Sequence, residues 1–290
     1  MKSHTLQSDL LLARELADMA DAISTDRFRA NDLLVTMKPD MTHVTDADKA
    51  VESAIRGGLA DSRPDDAVLG EEFGASADAA GTATAAGAAD VTLAADAVGP
   101  ADAPHRQWIV DPIDGTANFV RGIPVWATLI SLAIDGVPVL GVVSAPALQQ
   151  RWWAARGLGA WTREQVSPTE TRERRIFVSG VSSLADASLS YNSLKGWDEE
   201  GKLDELIALS REVWRTRAYG DMWSYMMVAE GLIDVAAEFD LKPWDIAALA
   251  PIVEEAGGVF TSVSGIRGPW HGSALATNGL LHEAVLEVLN

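Results

Sequence analysis

The chain has 290 residues, 48% of them hydrophobic, with no cysteine and a formal net charge of −19. That length and apolar content supply one large core or two tightly joined halves, while the missing cysteines exclude disulfides, thiolate metal sites and cysteine nucleophiles. The charge repels phosphodiester backbones and no Lys/Arg cluster interleaved with aromatics counters it, so no nucleic-acid partner is expected.

A small phosphorylated substrate would be repelled as well unless cations bridged it, so the acidity reads either as plain solubility or as a metal site among the acids. No apolar run approaches the roughly 20 residues of a membrane span, and no stretch reads as a leader, so a cytoplasmic protein without a membrane partner is expected.

Between Ser8 and Ile23 the residues Leu11, Leu12, Leu16, Met19 and Ile23 recur at the spacing of an amphipathic helix. A second helix is predicted from Thr45, carrying Ala47, Ala50, Val51, Ala54 and Ile55. Residues 75–104, nearly all Ala, Gly, Asp, Thr and Val without an aromatic or a period, predict a mobile, disordered surface loop. Strand-like runs at 108–110, 127–134, 137–143, 152–155 and 176–179 predict a mixed or antiparallel sheet. The last third alternates, with helices predicted at 199–213, 221–229 and 245–256 and strands at 235–238, 259–262 and 274–277. The whole reads as layered α and β, without internal repeats.

Three segments place carboxylates at the ends of apolar runs: Gly70-Glu71-Glu72-Phe73-Gly74, then Trp108-Ile109-Val110-Asp111-Pro112-Ile113-Asp114-Gly115-Thr116, then Trp244-Asp245 ahead of Gly257-Gly258. In the second, Pro112 and Gly115 force a turn that returns Asp114 towards Asp111. Two carboxylates so placed raise each other's pKa unless a cation lies between them. Such hard oxygen ligands suit Mg2+, with the Ile113 carbonyl as a further ligand and Thr116 placed to orient a water. The competing reading is an acidic turn capped by its own Asp side chains. Asp245 can equally be a helix N-cap, and Glu71-Glu72 a solvated pair.

In order and spacing, from about residue 5 to 290, these segments resemble the inositol monophosphatase family of metal-dependent phosphatases. The resemblance implies a layered αβαβα sandwich, α/β (α+β) in class, as a single domain with an N-terminal half of about 1–165, a C-terminal half of about 166–290 and an insertion at 75–104. It implies that Glu71, Asp111, the Ile113 carbonyl, Asp114 and Asp245 ligate two or three Mg2+ ions per subunit. Catalytic roles fall to Glu71, Thr116 and Asp48, the last two positioning the attacking water and Asp48 lying in Val44-Thr45-Asp46-Ala47-Asp48. Asp48 also reads simply as an acid in the first turn of a helix. Gly115 and Thr116, if they open a helix, would offer backbone N–H groups to phosphate.

The same resemblance assigns the leaving group to Asp221, after Arg217-Ala218-Tyr219-Gly220, and to Glu238, seven residues before Asp245. Inositol-specific members carry a small or hydroxyl residue where this chain has Asp221. A carboxylate there suits an ammonium or imidazolium, although Asp221 also reads as a helix N-cap. Together with Val143-Ser144-Ala145-Pro146-Ala147-Leu148 and Arg151-Trp152-Trp153-Ala154-Ala155-Arg156-Gly157 it resembles the actinobacterial histidinol-phosphate phosphatases of this superfamily. The expected reaction is hydrolysis of L-histidinol phosphate in histidine biosynthesis. The alternatives are inositol-1-phosphate or a sugar phosphate, or a regulatory binding protein that keeps the fold. The insertion at 75–104, which those relatives largely lack, is the departure from the pattern.

The five histidines show no metal-ligand spacing. Trp126, Trp152 and Trp153 read as sheet packing, and Lys38 as a solvated lysine or, alternatively, a residue touching the site. The Ile123-Pro124-Val125-Trp126 segment implies, by resemblance, a homodimer contact.

Overall fold

The computed structural model describes residues 4–38, 42–76, 105–167 and 169–290. Most of the segment 75–104, read as a mobile loop, lies outside the described residues. Its first two residues are paired: Ser76 N–H donates to the Val68 carbonyl at 2.7 Å, and Val68 N–H donates to Ser76 Oγ at 2.9 Å.

The first part of the chain runs α1 (Leu6–Arg27), β1 (Val35–Met37), β2 (His43–Thr45), α2 (Asp46–Ser62), β3 (Ala67–Gly70), β4 (Gly74–Ala75), β5 (Arg106–Asp114) and α3 (Thr116–Arg121). A run of strands follows: β6 (Ala127–Ile134), β7 (Val137–Ala145), β8 (Gln150–Ala155), β9 (Gly159–Ser167), β10 (Glu170–Arg175) and β11 (Ser188–Tyr191). Then come α4 (Leu194–Glu199), α5 (Leu203–Glu212), β12 (Arg215–Arg217), α6 (Asp221–Ala229), β13 (Val235–Phe239), α7 (Pro243–Ile246), α8 (Leu249–Glu255), β14 (Val259–Thr261), β15 (Ser273–Thr277) and α9 (His282–Leu289). No described helix is long and apolar enough to cross a membrane.

The layers are αβαβα. An eight-stranded sheet, in the order β10-β9-β8-β7-β6-β5-β3-β4, packs α1 and α2 on one face. Helices α6 and α8 fill the space between its other face and a five-stranded sheet, β12-β11-β13-β15-β14. On the far side of that second sheet lie α4, α5 and α9. The larger sheet is antiparallel except where β3 runs parallel to β5, so the carboxyl ends of those two strands open side by side.

Local chemistry explains most elements and the departures from expectation. Thr5 and Ser8 form a capping box at the start of α1. Its buried stripe is Leu10, Ala13, Leu16, Ala17 and Ala20, whereas Leu11 is 55% and Met19 41% exposed, so the expected apolar face was turned partly outward. Small residues won because α1 lies close on its neighbours: a Cβ at Gly58 of α2 would stand 2.5 Å from Leu16 Cδ2. The strand expected at 176–179 is a connection, since pairing with β9 ends at Arg175 and Ile176 buries itself between the sheets. The helix expected at 199–213 begins only at Leu203, because Gly201 at φ 68° separates it from α4, which ends at Glu199. Trp126 is buried against Phe28 and Phe119 within its own subunit, leaving Ile123 and Pro124 exposed in the segment expected at a subunit contact.

Backbone packing at the sheet centre gives a paired prediction. A Cβ at Gly141 on β7 would lie 2.0 Å from the Ala248 carbonyl oxygen, whereas one at Gly57 on α2 meets nothing within 4 Å. Gly141→Ala should therefore destabilise the fold by about 1–3 kcal/mol through overpacking. Gly57→Ala should stabilise it by up to about 1 kcal/mol through helix propensity. Urea denaturation of the two variants beside the parent chain checks both signs.

Candidate active site

The parallel register pairs Gly70 of β3 with Val110 of β5, and Glu71 N–H donates to the Val110 carbonyl at 3.2 Å. Glu71 and Asp111 are thereby carried to the same sheet edge. The turn after β3 is built on a residue that sequence reasoning missed. The carboxylate of Glu52, fully buried on α2, accepts from Glu72 N at 2.7 Å and Phe73 N at 3.3 Å while Arg56 holds it at 2.7 Å. Gly70 has to be glycine, because a Cβ there would lie 2.0 Å from Glu52 Oε1. Glu52 stands one helical turn after Asp48, which was the available signal.

At the end of β5 the pairing with β6 shifts register between Asp111 and Asp114. Asp111 Oδ1 accepts from Ile113 N at 3.0 Å, and Thr128 Oγ1 donates to the Pro112 carbonyl at 2.8 Å. Gly115, left-handed at φ 83°, then caps α3, which opens at Thr116 as expected. Thr116 Oγ1 lies 3.0 Å from the Ile113 carbonyl and 3.3 Å from Asp48 Oδ1. Asp48 completes the capping box of α2, its Oδ2 accepting from Thr45 N at 2.8 Å. Asp48 therefore caps the helix and also touches Thr116.

Asp245 is not an N-cap but the third residue of α7, accepting from Lys242 N at 2.7 Å in a capping box. It closes on the β5 turn so that Asp111, Asp114 and Asp245 each offer an oxygen within 4.8 Å of the others. Burial pushes Asp111 and Asp114 well above the usual carboxylate range. Glu71 is the largest neighbouring charge adding to the shift at Asp111, and Asp221 at Asp114. Asp245 is raised to about 6 and Glu71 to about 7, again chiefly by burial. The all-oxygen donor set and the unrelieved repulsion both fit a hard divalent cation.

Of the two readings of Lys38, a solvated lysine and a residue touching the site, the structure shows the second, at this edge. Its ammonium lies 2.7 Å from Glu71 and 2.6 Å from Glu72, and all three side chains are largely buried. A lysine 33 residues before its partner leaves no local pattern to read.

The second group of acids lies across the turn. Asp221 is the first residue of α6, left-handed at φ 47°, and caps nothing. Its Oδ2 accepts instead from Asn118 Nδ2 at 2.7 Å, while the next amide, Met222 N–H, donates to Asp114 Oδ2 at 2.9 Å. Glu238 on β13 is buried and accepts from Tyr225 OH at 3.0 Å. Burial raises Asp221 to about 6 and Glu238 to about 8, Asp221 adding to the latter. The structure thus gathers every residue singled out from sequence: Asp48, Glu71, Asp111, Ile113, Asp114, Gly115, Thr116, Asp221, Glu238 and Asp245. Asn118 and Tyr225, which hold two of them, had not been singled out. His282, between Thr261 and Thr277 at 3.2 and 3.1 Å, is a satisfied core residue, and Trp152 packs in the sheet as read.

Residues 6–290 match the sequence profile of the inositol monophosphatase family. The chain is 54% identical over 282 residues to a histidinol-phosphatase of Mycobacterium tuberculosis, covering 97% of this chain and 98% of the relative. It is also 54% identical over 286 residues to a histidinol-phosphatase of Streptomyces coelicolor, covering 97% of each. Among solved structures, the extragenic suppressor protein suhB from Bartonella henselae superposes with a TM-score of 0.78 at 27% identity, covering 98% of each chain.

Removing the lysine tests the electrostatics. Lys38→Met leaves the buried Glu71 and Glu72 carboxylates without their cation, and should cost about 1–3 kcal/mol of stability in EDTA. Saturating Mg2+ should recover most of that loss. Thermal melts of both proteins with and without the metal measure it.

Proposed function

The chain belongs to the inositol monophosphatase family and is a phosphatase, and from that premise we propose that it hydrolyses L-histidinol phosphate to L-histidinol and phosphate with Mg2+. The observation that carries the metal chemistry is the set of buried Asp111 and half-buried Asp114 and Asp245, with oxygens within 4.8 Å of one another. Held together without a cation, these carboxylates would keep one another protonated. In this reading Glu71, Asp111, the Ile113 carbonyl, Asp114 and Asp245 hold two or three Mg2+ ions. Once bound, the ions lower the pKa of a water and neutralise charge on the phosphoryl oxygens and the leaving oxygen.

The protein's part is orientation. The single proton of the Thr116 hydroxyl goes to Asp48 Oδ1 or the Ile113 carbonyl, within 3.3 and 3.0 Å. The Thr116 oxygen is left to accept from a water and turn its lone pair towards phosphorus. Asp48, which Thr116 touches, and Glu71 are the proposed acceptors for protons leaving that water. Gly115 and Thr116, at the opening of α3, lie where the phosphate would rest.

The leaving group meets Asp221 and Glu238, neither of which has a cation among the causes that shift it. The Asp221 carboxylate favours an ammonium or imidazolium over a neutral polyol, in keeping with the names of the two relatives at 54% identity. One observation favours a second reading, inositol-1-phosphate. Glu238, raised to about 8, carries a proton near neutrality and can bond a polyol hydroxyl. Histidine biosynthesis, a cytoplasmic location and a homodimer meeting at exposed Ile123 and Pro124 belong to the main reading. Light scattering that finds a single monomer-sized species excludes the dimer.

The decisive assay compares kcat/KM for phosphate release from histidinol phosphate and inositol-1-phosphate in Mg2+. Histidinol phosphate should be preferred, and Asp114→Asn should lower turnover of both by about a thousandfold or more, as loss of a site that stabilises transition-state charge does. Preference for the inositol ester replaces the substrate and keeps the chemistry. Metal-dependent thermal stabilisation with no turnover of either ester would instead mark a binding protein.

A further inference from the structure

We propose that Asn118 is the positioning residue that sets the substrate preference of the site, by aiming the Asp221 carboxylate at a cationic leaving group; this rests on the reading of Asp221 given above. Asn118 lies one turn into α3, and its Nδ2 has two protons. One goes to the Val125 carbonyl at 2.9 Å and the other to Asp221 Oδ2 at 2.7 Å, across 103 residues of sequence. The amide thus ties the loop before β6 to the first residue of α6.

Three features show that the placement of Asp221 is built. Its backbone is left-handed at φ 47° after Gly220 at φ 86°, a conformation that an L residue holds at a cost. The following amide is engaged with Asp114 at 2.9 Å, so the helix start cannot relax without disturbing the β5 turn. Gly115 leaves the room required, since a Cβ there would stand 3.0 Å from the Val125 oxygen and 3.5 Å from Asp221 Oδ2. Turned this way, the carboxylate caps nothing in its own helix and faces the turn that carries Asp114.

The chemistry of the donor matters as much as its position. A lysine or arginine at 118 would pin Asp221 equally well but would cancel its charge. A carboxamide donates a neutral hydrogen bond to one oxygen and leaves the anion able to pair with an incoming ammonium or imidazolium. Glu238 lies behind, held by Tyr225 at 3.0 Å.

The test is a double-mutant cycle on selectivity, the ratio of kcat/KM for histidinol phosphate to that for inositol-1-phosphate, in the parent chain, Asn118→Ala, Asp221→Ala and the double variant. Losing one hydrogen bond to a charged group should lower the ratio by about tenfold or more in Asn118→Ala, mainly through KM for the cationic ester. Once Asp221 is gone, Asn118→Ala should lower the ratio no further. The isosteric Asn118→Asp, which replaces the donor with a second anion, should lose selectivity at least as strongly and serves if the alanine variant does not fold. Equal losses for both esters, or additive losses in the double variant, overturn the proposal and make Asn118 a structural brace. A parent chain with no preference for the cationic ester overturns the reading of Asp221 itself and this inference with it. Preference retained in a folded Asn118→Ala overturns this inference alone.

Discussion

Asp111, Asp114 and Asp245 converge with oxygens within 4.8 Å of one another, and Glu71, Asp48 and Asp221 add their charges at the same edge. Two unit charges about 4 Å apart repel by about 4 kcal/mol at an effective dielectric near 20. Several such pairs approach the entire stability of an ordinary domain. The fold has to hold these acids together against that repulsion, and much of the local geometry serves this end. The one parallel pairing in the larger sheet puts Glu71 beside the β5 turn, and the register shift in β5 brings Asp114 back towards Asp111. Lys38 supplies the internal cation for Glu71 and Glu72.

Backbone donors hold the remaining acids. Asp48 and Asp245 each occupy the third position of a helix and accept from the N-cap amide, Asp111 accepts from Ile113 N, and Asp114 accepts from Met222 N. An amide donor stabilises a carboxylate without consuming its charge, so the oxygens stay available for a cation. For this reason the structural and chemical readings of a capping acid do not compete here. The bond that caps the helix is also the bond that fixes the carboxylate in space.

What the sequence disclosed follows from how local each feature is. The turn from Asp111 to Thr116 is contiguous, with Pro112 and Gly115 dictating its path, so its geometry could be read in advance. Residues that act across the fold could not: Lys38 is 33 positions from Glu71, and Asn118 is 103 from Asp221. Sequence periodicity also misplaced the face of α1. A close contact there rewards alanine over leucine, so the bulkiest residues at helical spacing, Leu11 and Met19, were not the ones buried. The charged strand β10 escaped notice because it is an edge strand with little to bury, and the apolar run just after it was taken for the strand. Asp221 presented the opposite difficulty. Its position before an apolar run fits an N-cap, and only its positive φ, invisible in sequence, turns the side chain away from its own helix.

The two groups of acids come from different parts of the architecture. Glu71, Asp111 and Asp114 stand at the edge of the larger sheet, while Asp221 and Glu238 belong to α6 and the smaller sheet. Residues of α6 and the smaller sheet can therefore change without moving the strands that carry the carboxylate cluster. The separation has one limit in this chain. Met222 N–H bonds Asp114, so the backbone at 221 is shared between the two groups and has to keep its left-handed turn. A β-branched residue at 221 would resist that turn and pull the amide from Asp114, whereas glycine, asparagine and aspartate tolerate it. Of these three, only aspartate also carries a carboxylate, so the left-handed turn and an acid at position 221 are met by one residue.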